Sequence, residues 1–221
     1  MSQAQEASSE TTIVVLPHPS LDLAAFVSRF DTPLRRLPSP DWLCSFLDIE
    51  SEAPVGRSED CRLAVRAMLR VGGYKPAGRG KPASEYLVRA AENGYLSPIN
   101  LVVDVCNAVS LHSGLPISVV DLAKAHPPFE VRYGEAEEDY IFNASGQVIR
   151  ISGLLCLSDV EGACANAVKD AQRTKTDEHT QATLSLIWGV RTHPDFTRDS
   201  VTWYRSLIER AGGMTEDVLL H

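Results

Sequence analysis

Ser97-Pro98-Ile99-Asn100-Leu101-Val102-Val103-Asp104-Val105-Cys106-Asn107 divides the chain into two kinds of sequence. Ser97 can cap a helix, and Pro98 suits the first helical position, where a missing N–H costs nothing. The spacing predicts a helix from Ser97 to about Ser113-Gly114. It is apolar almost all round, and its valines are poor helix formers because their χ1 freedom is restricted. Its length, start and stop signals favour the helix. Upstream, Ser58–Leu69 is a marked helix. Ser58 caps it, Glu59 and Asp60 suit the positive end of its dipole, and Cys61, Ala64, Val65, Met68 and Leu69 form a stripe. A further helix is expected from Pro82 to Asn93-Gly94. Leu21–Phe30 also has helical spacing, at Leu23, Phe26, Val27 and Phe30. Thr12–Leu16 reads as a short strand. Downstream the period changes. Phe129–Tyr133 alternates, and Asp139–Asn143 and Gln147–Ser152 flank the turn Ala144-Ser145-Gly146. Gly153–Leu157 and Thr183–Val190 read as strands, and Ser200–Ala211 as a closing helix. Helices early and strands late predict an α+β fold, layered, with helices packed on a mostly antiparallel sheet.

With 221 residues, 44% hydrophobic and 23% charged, the chain has the composition of a globular domain. We expect a flexible tail over residues 1–11 and a single domain over 12–221 with N-terminal and C-terminal helical extensions. No apolar run reaches the length of a membrane span, about 18 residues or more, and Met1–Thr12 lacks the pattern of a secretory leader. No membrane association is expected. Against 29 acids stand 21 Lys and Arg, a net charge of −8. That excludes a wholly basic, DNA-wrapping surface but leaves room for a local basic patch. The five cysteines show no C-x-x-C spacing. They are expected as free thiols in the cytoplasm. No His-Glu-x-x-His, phosphate-loop or Gly-x-Ser-x-Gly motif occurs, so neither a metal nor a cofactor is expected.

Two local anomalies stand out. From Arg66 to Arg89 there are six basic residues and one acid. Within this stretch, Lys75, Arg79 and Lys81 are interleaved with glycines, which permit close approach to phosphate. This is either a contact for RNA or nucleotide phosphate, or a solvated loop whose cations pair with acids such as those from Glu135 to Asp139. The second anomaly is Asn100, Asp104 and Asn107. At i, i+4 and i+7 they share a face of an otherwise apolar helix and must find partners. They either line a pocket or fasten neighbouring loops.

The stretch Ser97–Asn107, followed by Gly114-Leu115-Pro116 and Asp121, resembles a motif of the aminoacyl-tRNA editing domain of the phenylalanyl-tRNA synthetase beta subunit, the B3/B4 type. Val131–Glu135 and the Asn143–Gly146 turn continue the likeness, which covers roughly Ser58–Val190. Lys75–Tyr86 resembles free-standing versions. The resemblance implies a layered fold with a pocket between sheet and helices, lined or supported by Asn100, Asp104, Asn107, Ser118 and Glu135. It implies phosphate contacts at Lys75, Arg79 and Lys81. The partner it implies is tRNA or aminoacyl-tRNA, and the implied activity is deacylation of a mischarged tRNA in trans. A chain this short has no room for a synthetase's catalytic core, so ligation by itself is not expected. Ser118 stands where the synthetase motif has a histidine. The family's tyrosine-reading glutamate falls near Asp170-Ala171-Gln172-Arg173. Selectivity for tyrosine is therefore not expected. The alternative is a small-molecule binder that keeps the pocket for a free amino acid or related metabolite without RNA. A structural partner in a larger complex is a third reading.

Overall fold

The computed structural model describes residues 10–221, so all but Glu10 and Thr11 of the expected tail lies outside the described residues. The fold is α+β, with helices and mostly antiparallel sheets. There are two principal sheets rather than one.

The first principal sheet contains β2 (Leu21–Arg29), β3 (Ile117–Asp121), β9 (Ala182–Val190) and β10 (Met214–Asp217), in the order β10-β2-β9-β3 and all antiparallel. The second contains β1 (Thr12–Val15), β4 (Phe129–Tyr133), β7 (Leu155–Asp159), β8 (Gly162–Asn166) and β11 (Leu219–Leu220), in the order β11-β1-β4-β7-β8. Here β1 runs parallel to both its neighbours. A small hairpin, β5 (Asp139–Ile141) and β6 (Val148–Arg150), projects from the same region.

Leu21–Phe30 is a correction to the sequence reading, for it forms a strand rather than a helix. β2 lies between β9 and β10, with Leu21 opposite Val190 and Arg29 opposite Ala182. Pairing along both edges satisfies its backbone and overrides the local helical spacing. Phe26, Val27 and Ser28 are buried there. Four strands went unread: β3, β8, β10 and β11. β3 is buried at every position, so it has none of the alternation that marks a half-exposed strand. β7 begins two residues later than the expected Gly153, because Gly153 occupies a positive-φ turn at +69°.

The helices are α1 (Asp41–Cys44), α2 (Glu59–Arg70), α3 (Ala83–Glu92), α4 (Leu101–Ser113) and α5 (Pro194–Arg210). Ser58 caps α2 by accepting from the Cys61 N–H at 3.2 Å, as its sequence implied. α4 starts later than expected. Asn100, not Ser97, is its cap, with Oδ1 accepting from Val103 N–H at 3.1 Å. Gly114, at φ +76°, closes it. α5 starts at Pro194 rather than Ser200, using the proline in its first turn.

α5 packs on β9 and β2, and α4 packs against α5, α3 and β3. Phe26 meets Tyr204 edge to face, with centroids 4.9 Å apart. Trp188, on β9, is completely buried between these layers. Together α3, α4, β3 and the loop after β8 border a cavity of about 730 Å³.

Candidate functional site

The cleft takes its shape from α3, which presents Ala83, Tyr86, Leu87 and Ala90 toward it. These positions, i, i+3, i+4 and i+7, are one helical face. Two are alanines, which leave the space open. Val103 and Cys106 of α4, Ile117 and Val119 of β3, and Val168 complete an apolar wall, and Asn107 of α4 adds a polar amide to it. Ligand pockets of about 300–1,000 Å³ are typically apolar with a few placed polar groups. Asp170 is the only carboxylate among the lining residues, and Arg79, Lys169 and Lys175 are the cations.

Asp170 is held by a network that links distant strands. Its Oδ1 accepts from Ser118 Oγ–H at 2.7 Å and from the Asn166 backbone N–H at 3.1 Å. Ser118 Oγ in turn accepts from Trp188 Nε1–H at 3.0 Å. Asn166 fixes the loop itself, with Oδ1 accepting from the Val168 and Lys169 N–H groups at 2.8 and 2.9 Å. Its amide also donates to Tyr140 Oη, which donates to Lys169 O at 2.6 Å. Burial pushes the Asp170 carboxyl up to about 6, against the opposing pull of the Ser118 and Asn166 hydrogen bonds. The group is thus mostly ionised at neutral pH in a desolvated position that stabilises a cationic partner.

Two other nucleophile candidates are excluded by their surroundings. Burial raises the Cys106 thiol well above its ordinary value, so it carries no thiolate. Ser118 has no histidine beside it, and its hydroxyl proton is committed to Asp170. Lys175, half-buried, donates to Phe142 O at 2.6 Å, and desolvation lowers it.

The residues singled out by sequence do not share one place. Asn107 lines the cleft, partly exposed to it. Asn100 borders it too, but its side chain serves as the cap and donates to Thr176 Oγ1 at 3.2 Å. Asp104 is fully buried away from the cleft. Its carboxylate accepts from Ile99 N–H at 2.8 Å and from Ser39 Oγ–H. It fastens two loops, and burial raises its pKa. Replacing Asp104 by alanine strands the Ile99 donor, so we expect a loss of about 1–3 kcal/mol in urea unfolding, against less than about 0.5 for an exposed substitution. Ser118 is buried beneath the cleft and meets it only through its hydrogen bond to Asp170. Glu135 is a correction. It is exposed in a turn, where its N–H donates to Glu138 at 2.8 Å, and it does not line the cleft.

The basic segment is divided as well. Arg66 is held by Glu85. Lys75, Arg79 and Lys81 enter no ion pair among the described residues, and the Glu135–Asp139 acids do not neutralise them. Of those acids, Glu138 grips Arg132 at 2.8 Å. Yet only Arg79 reaches the cleft. Lys75 faces a separate hollow beside Arg70 and Tyr74, and Lys81 another beside Arg57 and Arg62. Asp170, Asn166, Tyr140 and Lys169 were missed as a site. They lie in or beside one irregular loop without a period, and only the family likeness pointed near Asp170.

Among the described residues no cluster of three His, Cys, Asp or Glu is placed to hold a metal ion. The cysteines are free thiols, and no described helix is long and apolar enough to cross a membrane.

An α+β domain with a cleft walled by a helix pair and a buried strand defines the class. The B3/4 domain family matches residues 77–192, just over half of the chain, and all of the cleft-lining residues lie within that match. The chain belongs to the B3/4 domain family. It is 28% identical over 176 residues to the phenylalanine--tRNA ligase beta subunit of Bartonella quintana (strain Toulouse), a match that takes in 77% of this chain and 19% of that protein. The chain thus spans about a fifth of this curated relative. Its fold resembles an N-terminal fragment of the phenylalanyl-tRNA synthetase beta subunit from Pyrococcus horikoshii, with TM-score 0.52 and 12% identity over 96% of this chain and 52% of that one.

Proposed function

We propose that the cleft receives the aminoacylated end of a tRNA and that the chain hydrolyses the ester in trans. One observation carries this: a half-buried, desolvated carboxylate, an aliphatic wall and cations without an ion pair among the described residues meet in a single cleft. An aminoacyl ester presents the complementary set. Its α-ammonium pairs with Asp170, its side chain lies against Leu87, Val103, Ile117 and Val168, and its phosphates meet Arg79 and Lys169. The tRNA ligase relative named above supports a tRNA partner.

The reaction adds water to the ester carbonyl and breaks the bond to the ribose oxygen. The released hydroxyl takes a proton, and a free amino acid leaves. The chain supplies position and charge. The Asn107 side chain makes no hydrogen bond among the described residues, and its amide serves as the cleft's donor for the developing oxyanion. With no histidine base, the tRNA's own terminal hydroxyl assists the water. Aliphatic walls favour aliphatic side chains over tyrosine.

The test is a panel of mischarged tRNAs. We expect cleavage of aliphatic aminoacyl esters, little action on tyrosyl-tRNA, and a loss on the order of 10²-fold for Asn107→Ala, the typical effect of removing one oxyanion donor. The net charge of −8 favours a second reading, a binder of free amino acids. An inert panel together with free amino acid binding would establish that reading instead.

A further inference from the structure

Arg79 and Lys169 do more than border the cleft. They also line a second hollow of about 620 Å³ on the other side, with Tyr74, Gly80, Phe142, Gln147 and Arg150. The two side chains thus form a ridge between neighbouring depressions. Neither forms a salt bridge or side-chain hydrogen bond among the described residues. Arg150, exposed at the far side, is likewise without an ion pair. No carboxylate lines this second hollow.

Cations close to one another without an acid destabilise the folded chain unless an anion joins them. Their mutual repulsion is visible at Lys169, whose pKa is lowered first by desolvation and then by Arg79. The amine rests over the Phe142 ring, 3.9 Å from its centre, which orients it along the ridge. Arg79 sits in the short Gly78–Gly80 turn, tied down by Tyr86 Oη–H donating to Gly78 O at 3.0 Å. Gly80 packs closely on Tyr74, since a Cβ there would lie 2.4 Å from Tyr74 Oη and the ring would have to shift. These contacts hold the backbone that carries Arg79 in place.

Resting on the function proposed above, we infer that this second hollow is a subsite for single-stranded RNA phosphates. The strand crosses the Arg79–Lys169 ridge and runs on toward Arg150, while its aminoacyl end lies in the first cleft. The hollow therefore binds RNA whether or not an amino acid is attached.

The experiment is a salt titration of uncharged tRNA binding to the full chain, comparing wild type, Arg150→Ala and Arg79→Ala/Lys169→Gln. Each phosphate contact contributes about 0.7 to the log–log slope for a single strand. We expect Arg150→Ala to shallow the slope by about one contact and the double variant by about two. Lys75→Ala, on a separate hollow, should leave it unchanged. If the double variant shallows the slope and Arg150→Ala does not, the ridge binds phosphate but the strand does not enter this hollow, and the inference fails while the proposed function stands. If wild-type protein binds no tRNA at low salt, both fail. Circular dichroism of Arg150→Ala, an exposed change, separates lost contact from lost fold.

Discussion

Asp170→Asn is expected to raise stability at neutral pH while removing recognition of the aminoacyl group. Burial lifts this carboxyl from its ordinary value near 3.8 to about 6 in the folded chain. Below about pH 4 it is protonated in both states and carries no penalty. Between about pH 4 and 6 the folded chain keeps a proton that the unfolded chain has lost, so this group's contribution falls as pH rises. Above about pH 6 the full penalty of a buried charge applies. Asparagine keeps an oxygen for Ser118 and Asn166 and cannot ionise. The variant should therefore match wild type near pH 4 and exceed it at pH 7 by at most about 3 kcal/mol, at 1.36 kcal/mol per pKa unit. Urea unfolding at the two pH values measures the difference. A variant less stable than wild type at both would show that the carboxylate is favourably paired within the chain itself. A charge kept at a cost to stability is what a binding site requires.

Trp188→Ala is expected to have the largest effect on the fold. The indole is fully buried on β9, opposite Leu23 of β2, and its N–H donates to Ser118 at 3.0 Å. Removing it leaves a cavity and an unfilled acceptor, at a cost of about 3–5 kcal/mol. That is a large fraction of the roughly 5–15 kcal/mol that holds a domain together. Trp188→Phe keeps most of the volume and should cost much less, while freeing Ser118 to rotate from Asp170. A thermal or urea midpoint unchanged in Trp188→Ala would contradict the packing described here.

Much of the helical half was legible because its signals are local. Ser58 and Gly114 act as caps where the sequence put them, and the Asn100-Asp104-Asn107 stripe does mark a place where polar groups had to be satisfied. That stripe resolved into three roles, since a shared helical face does not specify which neighbour each side chain meets. Asp104 found Ser39, 65 residues away, and that pairing has no local signature. Leu21–Phe30 failed for a related reason. Its apolar spacing fits a helix, and only the two strands that flank it make it β2. The cleft floor was the least legible part. Asp170 and Ser118 are 52 residues apart, joined across β3 and the loop after β8. Nothing within that loop's own sequence announces that its aspartate is half-buried and held by Ser118. The family likeness came within a residue or two of it, while Lys169 beside it went unnoticed.

The central claim is that Asp170 reads the aminoacyl group of a tRNA. It is tested most directly by comparing the affinities of uncharged tRNA and of tRNA carrying a non-hydrolysable, amide-linked aliphatic amino acid, for wild type and Asp170→Asn. A charge-assisted hydrogen bond contributes about 1.5–3 kcal/mol, or about 10- to 100-fold in affinity. The account predicts that wild type prefers the aminoacylated tRNA by that factor and that Asp170→Asn binds both forms equally. Equal binding of both forms by wild type would contradict it.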